Sequence, residues 1–259
     1  MPQVKFVDRT FNCRHDHAME IWRYIKEHDN GITNFHFEVA ADVLKDDEIE
    51  LISDMRPGLI QLEIGVQSTN IDTITEIHRK MDFKKVADIV TRIMQRQYVD
   101  WGNDSVEIEQ ELEFVKAYLS LQKYRFGDRL NYNLEIDPEC AQIRIPKLTI
   151  VTFVENACVH GIESKASPGW IFVRVYKREE QLCIEIEDTG RGIEEQKLYQ
   201  MQHDMQNADI EMLKNKKSVG MLNACLRLKM CTEDHVCFEI EGEEGVGTWI
   251  TICIPMEYL

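Results

Sequence analysis

Apolar side chains recur at helical spacing in some stretches of the chain and at strand spacing in others. Between residues 148 and 158 they return every three or four positions, which predicts a helix with one buried face. In residues 182–187 they alternate with polar side chains, which predicts a strand. The same two patterns predict further strands at 130–136, 171–175, 236–241 and 248–254, and helices at 106–124 and 220–230. This order predicts an α/β sandwich, in which helices cover one face of a mixed sheet.

Strands and helices also alternate through the first hundred residues. Strands are predicted at 3–7, 34–40 and 59–66, and helices at about 16–29, 46–55, 71–80 and 83–95. This order predicts parallel βα units, hence a sheet of the barrel or doubly wound kind, and an α/β protein overall. The periodicity is lost in residues 95–104, where turn residues gather, so we place a boundary between a domain at 1–97 and a second at 98–259.

Composition and charge exclude several classes of partner. The formal net charge of −16 argues against a nucleic acid or an anionic membrane, because a phosphate backbone needs a basic surface. It does not exclude a small phosphate ligand, which backbone amides can hold. The sequence contains neither a run of about 18 apolar residues nor a signal-peptide pattern, so we expect no membrane segment.

The eight cysteines include no C-x-x-C pair, and several fall on apolar faces of predicted elements. We interpret them as reduced core residues of a cytoplasmic protein, with metal or disulfide roles as the alternative.

Polar residues at the ends of these elements predict a nucleotide site. Glu155 and Asn156 lie on the predicted helix at 148–158, and Asp188 follows the strand at 182–187. The turn after Asp188 has the pattern D-x-G-x-G, and glycine lets the backbone pass close to a bound group. The pattern is weak by itself, but it is specific when it follows this helix and this strand.

Four features in fixed order resemble the ATP-binding fold shared by gyrase, the heat-shock chaperone, histidine kinases and the mismatch-repair ATPase. They are the Glu155-Asn156 helix, the D-x-G-x-G turn, a long polar segment at 193–217, and the segment 218–223 that opens a helix; a Gly-Val-Gly-Thr segment at 245–248 completes them. Residues 109–119, 125–130 and 145–148 are closer still to sensor histidine kinases of the LytS and YesM type, and this resemblance covers residues 98–259.

The resemblance implies a role for each site residue. Asp188 would accept a hydrogen bond from the adenine amine, and Asn156 would supply a neutral oxygen to Mg²⁺. The backbone of Gly190 and Gly192 would pass beside the purine ring. Gly220 would offer amide groups at a helix start to the phosphates, and Thr248 would complete the adenine pocket. Residues 193–217, which are weakly structured by pattern, would form a lid that is disordered or mobile without ligand.

Two residues of the helix are candidates for catalytic roles, each with an alternative. Glu155 would position or polarise water or the metal shell, or it is a surface carboxylate without a catalytic role. His160 would meet a phosphate as a hydrogen-bond donor, or it is a helix-end histidine that faces the C-terminal dipole.

The phosphoacceptor histidine of such kinases is not recognisable in this sequence. Of the eight histidines only His36 precedes a phenylalanine, and it lies in a predicted strand. We therefore expect ATP and Mg²⁺ to bind without autophosphorylation. The resemblance implies a phosphoacceptor domain and a response regulator in trans, and a homodimer is possible.

The N-terminal part carries a second resemblance. Residues 4–12, 35–38 and 61–68 resemble radical S-adenosylmethionine enzymes paired with cobalamin-binding domains, over residues 3–95. That family holds an iron–sulfur cluster on three cysteines, whereas this segment contains only Cys13, so we expect no cluster. Glu38, Glu63 and Gln67 would be remnants of cofactor contacts or ordinary strand-end residues. The resemblance implies a non-catalytic fragment of a partial barrel.

Three functions are therefore weighed. The first is the ATP-binding catalytic domain of a sensor histidine kinase fused to a non-catalytic βα fragment. The others are a radical-enzyme fragment that acts with a cluster-holding partner, and an adaptor that binds only proteins.

Overall fold

The computed structural model describes residues 2–8, 10–56, 58–64, 83–99, 104–215 and 220–259. The chain divides into two compact units, Met1–Trp101 and Gly102–Leu259. In the described part of the chain, no helix is both long enough and apolar enough to cross a membrane.

The N-terminal unit is built around a parallel three-stranded sheet. Its strands, in the order β1-β2-β3, are β1 (Gln3–Lys5), β2 (Asn34–Val39) and β3 (Ile60–Ile64). Its helices are α1 (His15–Glu27), α2 (Asp46–Ser53) and α3 (Phe83–Val99). The predicted parallel βα order is confirmed for these elements, whereas a partial barrel is not. The helix predicted at 71–80 lies outside the described residues, and so does Gln67.

The core of this unit joins the sheet to all three helices. Trp22 of α1, Phe37 of β2 and Ile49 of α2 are fully buried in one cluster. Helix α3 contributes Val86 and Ile89 to the same cluster. The expectation that residues 95–99 form turns was wrong, because α3 continues to Val99.

The C-terminal unit contains a five-stranded mixed sheet in the order β5-β7-β8-β10-β9. Strands β5 and β7 are parallel, and the other neighbours are antiparallel. A separate pair, β4 and β6, is antiparallel. The strands are β4 (Ser105–Glu107), β5 (Leu130–Ile136), β6 (Arg144–Pro146), β7 (Gly169–Arg178), β8 (Gln181–Asp188), β9 (Cys237–Glu243) and β10 (Gly247–Pro255).

Helices cover the sheet face on which the alternating apolar residues lie. Leu182, Ile184 and Ile186 of β8 are buried, as the period-two pattern predicted. The helices are α4 (Ile108–Phe126), α5 (Ile150–Asn156), α6 (Glu195–Gln206), α7 (Ile210–Asn215) and α8 (Gly220–Cys231). A π-helical turn, Ala157–Ile162, continues α5. The predicted mixed α/β architecture is confirmed.

The segment 193–217 differs most from expectation. It was expected to be weakly structured, but it contains α6 and α7. Its Gln, Glu, Lys and Met residues are good helix formers, and Met205 is fully buried. The side chain of Gln202 also bonds the backbone of β9, donating to Phe238 O at 2.7 Å and accepting from Ile240 N at 2.8 Å.

Two predicted helix starts also need correction. Residues 106 and 107 belong to β4 rather than to α4, because they pair with β6. Leu148 lies before α5 with φ of 56°, outside the helix to which its spacing assigned it.

All eight cysteines are free thiols, and Cys140, Cys158, Cys183 and Cys225 are buried, as expected of core residues. Cys13, Cys231 and Cys237 are instead exposed.

Candidate functional site

A cavity of about 490 Å³ opens between the sheet and the helices of the C-terminal unit. Residues from α5, β8, the turn after β8, α6, α8 and β10 line it. Five of the predicted site residues are among them: Asn156, His160, Asp188, Gly192 and Thr248. Elements that are far apart in the sequence therefore converge on one space.

Asp188 is the most deeply buried ionisable residue of this cavity, with 4% of its surface exposed. Burial raises the pKa of its carboxyl group to about 6, while hydrogen bonds from Gly190 N and the Thr248 hydroxyl and the charge of Lys165 act in the opposite direction. Gly190 N donates to Oδ1 at 2.8 Å. At pH 7 the group is therefore mainly an ionised acceptor.

Two glycines pack against the Asp188 carboxylate. A Cβ atom at Gly161 would lie 2.4 Å from Oδ1, and one at Gly190 would lie 2.5 Å from the same atom. The Cβ of residue 190 would also lie 2.4 Å from the α carbon of Gly161. Gly190 therefore supports Asp188 without being a lining residue. Gly161 was missed in the sequence, although it directly follows His160.

The turn after β8 is held to the hairpin between β9 and β10. Gly192 has φ of 69°, and a Cβ there would lie 1.8 Å from the carbonyl oxygen of Glu243. Gly245 N donates to the carbonyl oxygen of Arg191 at 2.6 Å. On the other side, Lys165 Nζ donates to Thr189 O at 2.7 Å. These contacts fix the backbone that borders the cavity.

The side chain of Asn156 is oriented by its own helix. Its Nδ2 donates to the carbonyl oxygen of Thr152 at 2.8 Å. Because the amide nitrogen is engaged with the backbone, Oδ1 is the atom left to accept or to coordinate. A neutral amide oxygen on the cavity wall fits a hard cation such as Mg²⁺.

Basic residues gather at the same cavity. His160, Arg191 and Lys197 line it. Burial, and then the charges of Lys197 and Arg191, lower the pKa of His160, so its imidazole is neutral at pH 7 and donates one N–H. Arg191 and Lys197 were missed in the sequence, although Arg191 lies inside the D-x-G-x-G turn and Lys197 in the expected lid.

Glu155 and Gly220 are not lining residues of the cavity. Burial, then Cys158 and then Glu155, raise the pKa of Tyr118, so the charge of Glu155 acts on a residue of α4. Gly220 is the first residue of α8, next to the lining residues Met221 and Leu222. Residues 218 and 219, the start of the predicted segment 218–223, lie outside the described residues.

These features define an α/β sandwich with a polar cavity between its sheet and its helices. Residues 144–258 match the family model described as "Histidine kinase-, DNA gyrase B-, and HSP90-like ATPase". Residues 69–130 match a second family model, described as "Histidine kinase".

Curated relatives agree with this class. The chain is 25% identical over 237 residues to sensor histidine kinase YesM of Bacillus subtilis, covering 87% of this chain and 38% of that protein. It is 32% identical over 152 residues to sensor protein LytS of Bacillus anthracis, covering 58% of this chain and 25% of that protein. The chain thus spans well under half the length of either relative. The C-terminal unit is thus similar to the ATP-binding catalytic domain of sensor histidine kinases.

A solved structure also shows some similarity. The histidine kinase domain of the blue-light activated histidine kinase from Erythrobacter litoralis EL346 matches 93% of this chain and 95% of that chain, with 16% identity and a TM-score of 0.43. Because this TM-score is low, the similarity to histidine kinases stated above depends on the sequence matches alone.

Neither family match supports the radical S-adenosylmethionine resemblance of residues 3–95. The second match instead begins at residue 69, inside that segment, and so includes α3. At least this part of the N-terminal unit has sequence features of histidine kinases.

Proposed function

We propose that the C-terminal unit binds Mg-ATP with its adenine at Asp188. The observation that carries the proposal is a buried carboxylate on the wall of a cavity that also holds an amide oxygen and three basic residues. An ionised carboxylate accepts a hydrogen bond from the exocyclic amine of adenine, whereas guanine has a carbonyl oxygen at that position. Thr248, which donates to Asp188, keeps the carboxylate in place. Gly190 and Gly192 would let the turn lie beside the purine.

Asn156 would hold the magnesium ion together with the phosphates. Among the described residues, no three or more His, Cys, Asp and Glu side chains cluster as a metal site, so the protein would not supply the whole coordination shell. Magnesium commonly shares its shell with phosphate oxygens and water. When bound, the ion would neutralise charge on the phosphates, and Asn156 Oδ1 would fix its position.

The phosphates would lie among His160, Arg191 and Lys197. Two fixed cations and one neutral donor suit a polyphosphate, and the N-terminal amides of α8 from Gly220 onward would add further donors. Glu155, which lies outside the cavity lining, would act through its neighbours on α4 and α5 rather than on the nucleotide.

The unit would transfer the γ-phosphoryl group to a histidine of another molecule. The sequence contains no recognisable phosphoacceptor motif, so a phosphoacceptor domain and then a response regulator would be partners in trans. A homodimer and a cytoplasmic location, where ATP is abundant, are part of the same proposal. The N-terminal βα unit, with Cys13 as its one cysteine before residue 98, would not carry radical chemistry.

The direct test is binding of a fluorescent ATP analogue to the whole chain with and without Mg²⁺. We expect saturable binding, and a melting temperature that rises with Mg-ATP concentration by mass action. A chain that shows neither effect would refute nucleotide binding and would favour an adaptor function. Incubation with labelled ATP and a separate phosphoacceptor domain would then test transfer, since the chain alone should remain unlabelled.

A further inference from the structure

The turn between β6 and α5 has an uncommon backbone conformation. Leu148 lies there with φ of 56°, in the left-handed region that residues other than glycine rarely adopt. The N-cap residue of α5 makes no side-chain capping bond. Instead, Leu148 and Val151 donate their backbone N–H groups to the carboxylate of Glu111, at 3.1 Å and 3.4 Å. A side chain of α4 therefore caps the helix that carries Asn156.

Glu111 differs from the other acidic residues of α4. It is fully buried, whereas Glu109 and Glu113 are exposed. A buried carboxylate is costly unless donors surround it, and the positive end of a helix is favourable for it. Glu111 lies in the first turn of α4 and thus caps a neighbouring helix.

Arg227 of α8 holds the other side of the same turn. Its guanidinium donates to the carbonyl oxygens of Lys147 and Leu148, the second through Nη2 at 3.4 Å. Burial lowers the pKa of Arg227, and the charge of Glu111 acts in the opposite direction. An anion therefore holds the N–H groups of the turn while a cation holds its carbonyl groups.

Side chains of α4 and α8 thus both hydrogen-bond to the turn at the start of α5. Helix α5 and the π-helical turn that continues it carry Asn156 and His160 to the cavity, and α8 carries Met221 and Leu222. Helix α4 contributes no lining residue. Helix α4 can act on the cavity through α5, against which it packs, and Glu111 supplies a charged contact between the two helices.

We propose that Glu111 and Arg227 are positioning residues of the nucleotide site, which hold α5 and α8 in register for Mg²⁺ and the phosphates. The proposal rests on the proposed function. It distinguishes the two parts of the ligand, because Gly190 and Thr248 hydrogen-bond to Asp188 of β8, and Gly161, which packs against Asp188, lies beyond the end of α5 rather than at the start that Glu111 and Arg227 hold.

The test compares affinities for Mg-ATP and for adenosine. The variant Glu111→Gln keeps the shape of the side chain but loses its charge, and Arg227→Lys keeps the charge but loses the paired donors. In both we expect about tenfold weaker binding of Mg-ATP, as for loss of one charged hydrogen bond. Adenosine affinity should change much less. Glu113→Gln, an exposed neighbour on α4, is the matched control and should bind both ligands as the wild type does.

The possible outcomes separate the inference from the proposed function. Wild-type chain that binds no Mg-ATP would refute the proposed function and the inference with it. Wild-type binding, with variants that melt cooperatively and keep their Mg-ATP affinity, would refute the inference alone. Equal losses for Mg-ATP and adenosine would indicate general destabilisation and would also refute it. If Glu111→Gln does not fold, the Mg-ATP and adenosine affinities of Arg227→Lys test the inference in its place.

Discussion

The carboxylate of Asp188 lies against the α carbon of Gly161, so closely that a Cβ atom at position 161 would be 2.4 Å from Oδ1. The two residues come from different elements, β8 and the π-helical turn after α5. Their contact joins the two features on which the site depends, the acidic strand end and the amide-bearing helix.

The variant Gly161→Ala should therefore weaken adenine nucleotide binding. Contact below 3 Å forces the carboxylate or the helix to shift, and a hydrogen bond to a charged group misplaced by an ångström loses most of its strength. We expect at least about tenfold weaker binding of the fluorescent ATP analogue. Val159→Ala, on the exposed side of the same turn, is the control. Unchanged affinity in folded Gly161→Ala would contradict the tight packing.

Adenine recognition should depend on the charge of Asp188. Asp188→Asn replaces an acceptor oxygen with an NH₂ group, so the purine amine loses its partner, and we expect loss of detectable ATP analogue binding. Titration of the analogue against the variant checks this. Glu185→Gln, an earlier acidic residue on β8, should bind normally. Retained binding in Asp188→Asn would refute the assigned role.

Adenosine binding should also weaken as the pH falls. The pKa of Asp188 is raised by burial to about 6, so the acceptor form disappears between pH 7 and pH 5, and affinity should drop about tenfold over that interval. Adenosine avoids the titration of phosphate groups. Isothermal calorimetry at several pH values gives the profile, and a flat profile would contradict an ionised acceptor.

The same raised pKa predicts the effect of Asp188 on stability. A carboxyl group whose pKa is higher in the folded than in the unfolded state contributes stability that is fully present below about pH 4 and is lost as the pH rises through about 6. Asp188→Asn removes this dependence. At pH 8, without nucleotide, the variant should therefore melt at a higher temperature than the wild type. A lower melting temperature would contradict the raised pKa of Asp188 in the folded state.

Gly192 should be needed for the fold as well as for the site. A Cβ there would lie 1.8 Å from Glu243 O, in addition to the strain of a positive φ. Gly245 has φ of 84° and open space, so Gly245→Ala carries only the conformational cost, of about 1 kcal/mol. Gly192→Ala should cost clearly more in urea unfolding, about 3 kcal/mol or above. Equal losses of unfolding free energy in the two variants would contradict this prediction, because they would show that the backbone at Glu243 can move away from the added Cβ atom.

Much of the site could be predicted because its signals are local. The turn D-x-G-x-G follows an alternating strand, and Asn156 lies on a helix of clear period, so short stretches of sequence indicate both. Gly161, Arg191 and Lys197 have no such signal, because their importance depends on elements that come from elsewhere in the chain. Glu155, adjacent to Asn156, was expected at the cavity, but α5 is rotated so that Glu155 lies outside its lining.

The polar segment at 193–217 shows a different limit. Its residues favour a helix individually, and Leu198, Met201, Met205 and Ala208 recur at helical spacing, but many polar residues surround them and obscure this period. Packing of Met205 and bonds from Gln202 to β9 hold the helix against the sheet.

The sequence by itself determined the periods of the strands and helices and the chemical types in the acidic turn, since these depend on neighbours within about one helical turn or one strand. Only the tertiary structure decided which side chains meet in the cavity and that Glu111 and Arg227 hold the start of α5. The reason is physical: burial, close packing and the pKa of Asp188 are set by groups that approach through space, and linear spacing does not contain those distances.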